Sequence, residues 1–438
     1  MRFYDREKEL EALGNTLKNS RDGSKMTVLM GRRRIGKTEL SLRCGDETVL
    51  YFFVGKKSEH MLCQDFVREI EEKLGARFLG RPTSFSDVFR FVLQLSTNRP
   101  FTLIVDEFQN FTKVNPAIFG DMQRDWDLYR RSSRLNLIIS GSVFTLMKKI
   151  FEDYEEPLFG RADEVLTLGP FSTTVLKRIL ADYNPDYTPD DLLALYSITG
   201  GVPWYVSLLL DRGKTRRDLM LASLVEENSP FVGEGKNILI EEFGGDYVTY
   251  FSILTCISGG MMTSAEIERE IGRGNISSYL TKLEDYYKVI HKFRPIYAKP
   301  NSRNLRYVLD DCFLIFWFRF FYKYQALIEN QALKALGDII LRDYDSVSGF
   351  MMERYFAQKF REQGRYIVGK WWDKKGTNEI DLIVIDPLAK EAWFYELKKQ
   401  RHKYKDEMLK EKVQRVLDVT PELKRMTIHH GSLSLDDM

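Results

Sequence analysis

The residues Gly31-Arg32-Arg33-Arg34-Ile35-Gly36-Lys37-Thr38 follow the spacing G-x-x-x-x-G-K-[ST]. Two glycines let a loop turn so tightly that successive backbone N–H groups point at one polyphosphate. The apolar run Met26 to Met30 reads as a buried strand leading into the loop, and Thr38 to Arg43 opens a helix whose positive end adds to the cradle. Lys37 can neutralise the β and γ oxygens of a nucleoside triphosphate, and Thr38 can offer its hydroxyl to magnesium. Gly31, Arg34, Ile35, Gly36, Lys37, Thr38 and Glu39 are the expected nucleotide contacts, with ATP and Mg2+ as the expected ligands.

A second apolar run, Phe101 to Val105, ends in Asp106-Glu107. A carboxylate at a strand tip can hold magnesium through a water, the role expected of Asp106. Its neighbour Glu107 can act as general base toward the attacking water. An acidic pair after a strand is by itself a common solvated turn; the company of loop 31–38 gives it weight. Leu137 to Ser142 ends another strand, where the Ser142 hydroxyl could orient the water or the γ-phosphate, or simply close a turn. Arg161 lies in a loop before Val165-Leu166. It could stabilise transition-state charge, within the subunit or from a neighbouring copy in a homo-oligomer, or be an ordinary surface arginine.

A second constellation lies toward the end of the chain. Glu353 falls on an expected helix and Asp381 in the strand Glu379 to Ile385. Glu396 and Lys398 fall in Trp393 to Lys398, where alternation puts both on one strand face. Asp381 and Glu396 could share a divalent cation, with Glu353 closing the site. Lys398 could activate water or neutralise a phosphate. An E-x-K triplet alone recurs by chance about once per chain; the specific part is the order helix-Glu, strand-Asp, strand-Glu-x-Lys. Residues 351–415 carry 16 Lys and Arg against 11 Asp and Glu, compatible with a nucleic-acid surface.

These side chains need elements to place them. Strands expected at Val49 to Val54 and Leu135 to Ile139 join those at 26–30 and 101–105, alternating with helices around 61–74 and 85–97. That order implies a parallel α/β sheet with helices on both faces, over residues 1–172. A helical lid is expected at 173–245, broken by Gly200-Gly201-Val202-Pro203. Residues 246–310 read as a winged helix-turn-helix. Thr263 and Glu266 stand at capping-box spacing before a helix at 264–271, a second helix runs from Gly274 to Tyr287, and strands follow at Lys288 to His291 and Arg306 to Leu309. Asn275, Ser277, Ser278 and Lys282 would face a DNA major groove, and Arg294, Lys299, Arg303 and Arg306 its phosphates. Glu284 and Asp285 dilute that charge, and a packing role is the alternative. An aromatic helical connector, 311–345, leads to a C-terminal α/β unit, 346–438.

Of the 438 residues, 44% are hydrophobic, enough for several cores, and the net charge of +2 does not itself announce a nucleic-acid binder. Cys44, Cys63, Cys256 and Cys312 form no CxxC pair and no histidine stands at ligand spacing from them, which argues against a zinc or disulfide framework and fits a reducing cytoplasm. The first residues lack the order of a secretory signal, and Cys312 to Phe318 is too short to span a bilayer, so no membrane role is expected.

Residues 1–230 resemble the archaeal-type ATPase family, close to the AAA-plus and STAND NTPases. The resemblance rests on Phe3 with Arg6-Glu7-Lys8-Glu9-Leu10, the loop at 31–38, Leu103 to Gln109, Ser140-Gly141-Ser142, Phe159-Gly160-Arg161 and Gly200 to Pro203. It implies an ATP-driven switch rather than a rapid ATPase, and places Arg6 and Pro203 near the nucleotide. The C-terminal order resembles the PD-(D/E)XK nuclease superfamily and implies a restriction-endonuclease-like fold. Three readings follow: an ATPase whose nucleotide state controls a DNA-acting, metal-dependent nuclease-like domain, a signalling or scaffold ATPase whose C-terminal domain only binds nucleic acid or a protein partner, or an ATP-driven remodeller of protein partners.

Overall fold

Phe101–Asp106 and Leu135–Gly141 are buried along their whole length, which is why they read as mostly apolar runs rather than alternating ones. They are the central strands of one of two compact units in the computed structural model, which describes residues 1–45, 48–243 and 247–438. The units are Tyr4–Gly169, and Met1–Phe3 with Pro170–Met438.

The first unit is a five-stranded parallel sheet of β1 (Lys25–Met30), β2 (Val49–Phe53), β3 (Phe101–Asp106), β4 (Leu135–Gly141) and β5 (Glu164–Thr167), in the order β2-β3-β4-β1-β5. The expected parallel sheet is present, with one strand more than the four expected. β5 is short and only half-buried, so it carries little hydrophobic signal. Helices Glu59–Leu74, Phe85–Asn98 and Ala117–Tyr129 bury their apolar faces in the same core as β1 to β4. Ring stacking of Phe52 on Phe66, centroids 4.3 Å apart, ties β2 to the first of them.

The second unit begins with helices. Thr173–Tyr183 is capped by Ser172, and Pro189–Thr199 opens on a capping box of Thr188 and Asp191. Gly200 and Gly201 end that helix with φ of +56° and +78°. A Cβ on Gly201 would stand 2.6 Å from the Phe171 carbonyl oxygen, so only glycine fits. Helices Tyr247–Ser258, Ser264–Ile271 and Ser277–Thr281 (continuing as a π-turn to Tyr286) precede the antiparallel pair β6 (Ile290–Phe293) and β7 (Arg306–Leu309). The Thr263–Glu266 capping box forms as expected. The expected lid boundary at 245/246 falls outside the described residues.

A 29-residue helix, Leu333–Arg361, runs unbroken through position 345/346, where the connector was expected to end. Ser346, Ser348 and Gly349 are weak helix formers there; burial of Tyr344, Val347, Met351, Met352 and Tyr355 holds the helix together. The chain then forms β8 (Ile367–Trp372), β9 (Glu379–Asp386), β10 (Glu391–Leu397), helix Asp406–Val419 and β11 (Thr427–Leu433). Their order is β11-β10-β9-β8, antiparallel except for the parallel pair β10–β11.

Arg306 does not stand toward solvent as a phosphate contact. Its guanidinium lies over the Trp372 ring, 4.4 Å from the centroid, and Nη1 pairs with Glu379 at 3.0 Å. Trp372 Nε1 donates to Asn304 at 2.7 Å, and Ile296 N to the Lys370 carbonyl at 2.9 Å. The hairpin is thus packed on β8 and β9, and Arg306 supplies cation–π and ion-pair contacts to that packing. Asn275, Ser277, Ser278 and Lys282 are exposed, as expected.

Candidate functional site

The loop Gly31 to Lys37 leaves the C-terminal tip of β1, beside the tips of β4 and β3. Gly31 is required by close packing: a Cβ there would meet the Leu168 carbonyl oxygen at 2.8 Å. Gly36 turns at φ +90° and Arg34 at +69°. Ile35 is buried under the loop. Lys37 is buried too, and its ammonium donates to the carbonyls of Gly31 at 2.8 Å and Arg32 at 3.0 Å. Burial lowers its pKa to about 8; the charges of Glu107 and Asp106 work against the shift, and Arg33 with it.

Asp106, at the tip of β3, gathers four donors. Oδ1 accepts from the Ser140 hydroxyl and from Glu107 N at 2.9 Å. Oδ2 accepts from Thr38 Oγ1 at 2.9 Å and the Tyr51 phenol at 2.6 Å. Burial works to raise the Asp106 pKa, but the hydroxyl donors outweigh it and hold the carboxyl below its ordinary value. Glu107 stands in the left-handed region at φ 56°. Its Oε2 accepts from Ser142 Oγ at 2.8 Å and Gln109 Nε2 at 2.6 Å. Thr38, Asp106, Glu107 and Ser142 therefore form one hydrogen-bonded group, with the Lys37 charge in the field of both carboxylates.

An ionised carboxylate beside a threonine hydroxyl is a hard-oxygen donor set of the kind magnesium takes, and the buried lysine supplies a cation for phosphate; the residues present fit Mg2+ and a nucleoside triphosphate. The other expected residues have partners of their own or lie in the other unit. Glu39 pairs with Arg43 at 2.9 Å on the outer side of its helix. Arg6, buried and at φ 78°, donates to the Gly169 carbonyl at 2.5 Å. Arg161 pairs with Asp127 at 3.2 Å and donates to its own loop at Phe159. Pro203 belongs to the second unit, as the first residue of helix Pro203–Leu210. Tyr51 and Gln109 were not anticipated. Gln109 lies inside a quoted motif, but its role shows only through its partners.

In the second unit, Glu353 on the long helix, Asp381 on β9 and Glu396 on β10 lie in one another's fields. Burial, then the charges of Glu353 and Glu396, push the Asp381 pKa up to about 6, against the Leu397 N–H and Lys370. Two of the three carboxylates have ammonium partners. Lys370 pairs with Glu353, and Glu396 pairs with Lys398 at 2.9 Å and Lys412 at 3.0 Å. Among the described residues no group of three or more His, Cys, Asp or Glu could hold a metal ion. Ammonium groups thus face Glu353 and Glu396, while Asp381 Oδ2 accepts from the Leu397 N–H at 2.9 Å.

The Asp381 shift has a stability consequence. A carboxyl that keeps its proton up to about pH 6 when folded, but only to 3.8 when unfolded, costs the folded state stability as pH rises through that window. Asp381→Asn should therefore be more stable than wild type at neutral pH, by on the order of 2–3 kcal/mol. The advantage should vanish near pH 4. Denaturant midpoints at both pH values read this directly; a variant less stable at neutral pH would contradict it.

Residues 3–209 match the model of an ATPase domain predominantly from Archaea, and residues 317–412 that of archaeal and bacterial proteins of unknown function. An uncharacterized protein of Methanocaldococcus jannaschii is 27% identical over 408 residues, covering 90% of this chain and 87% of that protein. The fold is similar to the Walker-type ATPase of Pyrococcus abyssi (TM-score 0.54, 20% identity, 72% of this chain and 96% of that one). It is also similar to the Aeropyrum pernix ORC2 protein solved as ADPNP–ADP complexes (TM-score 0.50, 16% identity, 73% and 94%). No described helix is long and apolar enough to cross a membrane. Residues 3–209, the span similar to that ATPase-domain model, thus hold the parallel sheet and the glycine-lysine-threonine loop described above, in a fold like those of the two solved ATPase-type structures.

Proposed function

We propose that the protein is an ATP-hydrolysing switch that works with Mg2+ at the Lys37–Asp106–Glu107 group. The observation that carries this reading is the connected set itself: a buried lysine at the loop, a hydroxyl and carboxylate suited to a cation, and a second carboxylate oriented by Ser142 and Gln109. Bound magnesium supplies charge neutralisation on the phosphates. Lys37 binds the same oxygens from the loop side, and Thr38 with Asp106 orients the cation. Glu107 takes the proton of the attacking water on Oε1, because Oε2 is already engaged. Calorimetry of the full chain with ATP tests the site: saturable binding, strengthened by Mg2+, is expected. Absence of binding with and without the cation would reject it.

A second reading concerns the C-terminal unit. The lysine pairing of Glu353 and Glu396 favours a module that binds a polyanion without cutting it over a metal-dependent nuclease. The exposed run Arg401, His402, Lys403 and Lys405 beside β10 supports nucleic acid as the partner, and exposed Lys282, Lys299 and Arg303 add a second basic surface. Full-length protein is expected to bind DNA with a steep salt dependence and to leave it intact in Mg2+ or Mn2+, with or without ATP. Cleavage lost in Asp381→Ala would instead establish the nuclease.

A further inference from the structure

A carboxylate offers about four lone-pair positions to hydrogen-bond donors. At Asp106 all four are taken, by Ser140, Glu107 N, Thr38 and Tyr51. A cation, or a water bound to one, therefore finds no vacant acceptor on this carboxylate until a donor leaves. Three of the donors are poorly placed to leave. Glu107 N is the next backbone group in the chain, Ser140 is buried inside β4, and the Thr38 hydroxyl belongs to the loop that meets the phosphates. Tyr51 differs. It sits on β2, the edge strand of the sheet, and is only half-buried. Its phenol makes the shorter of the two contacts to Oδ2.

We infer that Tyr51 is a positioning residue that competes with the cation: its phenol holds Asp106 in the resting site and must release Oδ2 for Mg2+ to load. The inference rests on the ATPase reading, and extends it to a residue that sets how much magnesium the site needs. Tyr51→Phe keeps the ring and its packing while deleting the donor, so the fold is preserved and the acceptor is freed.

The test uses the full chain, a non-hydrolysable ATP analogue and Mn2+, followed by electron paramagnetic resonance of the free ion. Tyr51→Phe should bind Mn2+ in the analogue complex at least five-fold more tightly than wild type. Affinity for the analogue without metal should stay within about two-fold, since Tyr51 touches the Thr38 and Asp106 side chains and not the backbone of the loop that cradles the phosphates. Wild type should also show a tyrosine ultraviolet difference spectrum on metal addition that Tyr51→Phe lacks. Equal or weaker Mn2+ binding by the variant overturns the inference while leaving the nucleotide site standing. Failure of wild type to bind the analogue at all overturns both.

Discussion

Lys37→Met should lose ATP affinity by at least a hundred-fold. The lysine is buried, so its charge acts in a region where water screens little, and its removal leaves the phosphates facing the loop without a cation. Methionine keeps the stem's volume and packing, so the loss will not be a folding defect. The sign of the pH dependence follows from the depressed pKa. Folded Lys37 releases its proton near pH 8, whereas the unfolded side chain holds it to about 10.5. The unfolded state binds more protons between those values, so the nucleotide-free protein gains stability as pH rises from 8 toward 10.5. Lys37→Met should not show that rise. It should equal or exceed wild type in thermal midpoint near pH 7.5, where the wild type bears the cost of a desolvated ammonium. Unchanged ATP affinity in calorimetry would remove Lys37 from the phosphate site.

Glu107→Gln should separate binding from turnover. The carboxylate contacts Ser142 and Gln109 rather than the loop, so ATP affinity should stay within about three-fold. Hydrolysis should fall by about 10²–10⁴-fold, the range for removing a positioned general base. Gln109→Ala should show a milder version, because Glu107 then keeps only the Ser142 contact on Oε2. Single-turnover kinetics with excess protein distinguish a slow chemical step from slow release. Wild-type rates in Glu107→Gln would place the base elsewhere.

The group around Lys37 and Asp106 was readable in the sequence because its parts are local: a glycine-lysine-threonine loop after one apolar strand, and two carboxylates after another. Its hydrogen-bond partners were not. Tyr51 reaches Asp106 only because β2 pairs in parallel with β3, with Tyr51 opposite Ile104 and Phe53 opposite Asp106. Such register is a long-range property that no spacing along the chain encodes. β5 and β11 were missed for a different reason. Glu164–Thr167 is short and half-exposed, and Thr427–Leu433 carries two histidines, Gly431 and Ser432, so neither shows a clear hydrophobic period. Arg306 shows the limit of reading charge. A basic residue on a hairpin has the same sequence signature whether it meets a phosphate or, as here, an indole ring and Glu379.

The most direct measurement is release of inorganic phosphate from ATP by the purified full-length chain, with Mg2+ and with the cation chelated. Slow, saturable, magnesium-dependent release that disappears in both Lys37→Met and Glu107→Gln is the expected result. Release that survives in either variant, or none from wild type under conditions where ATP binds, would contradict hydrolysis at the Lys37–Asp106–Glu107 group.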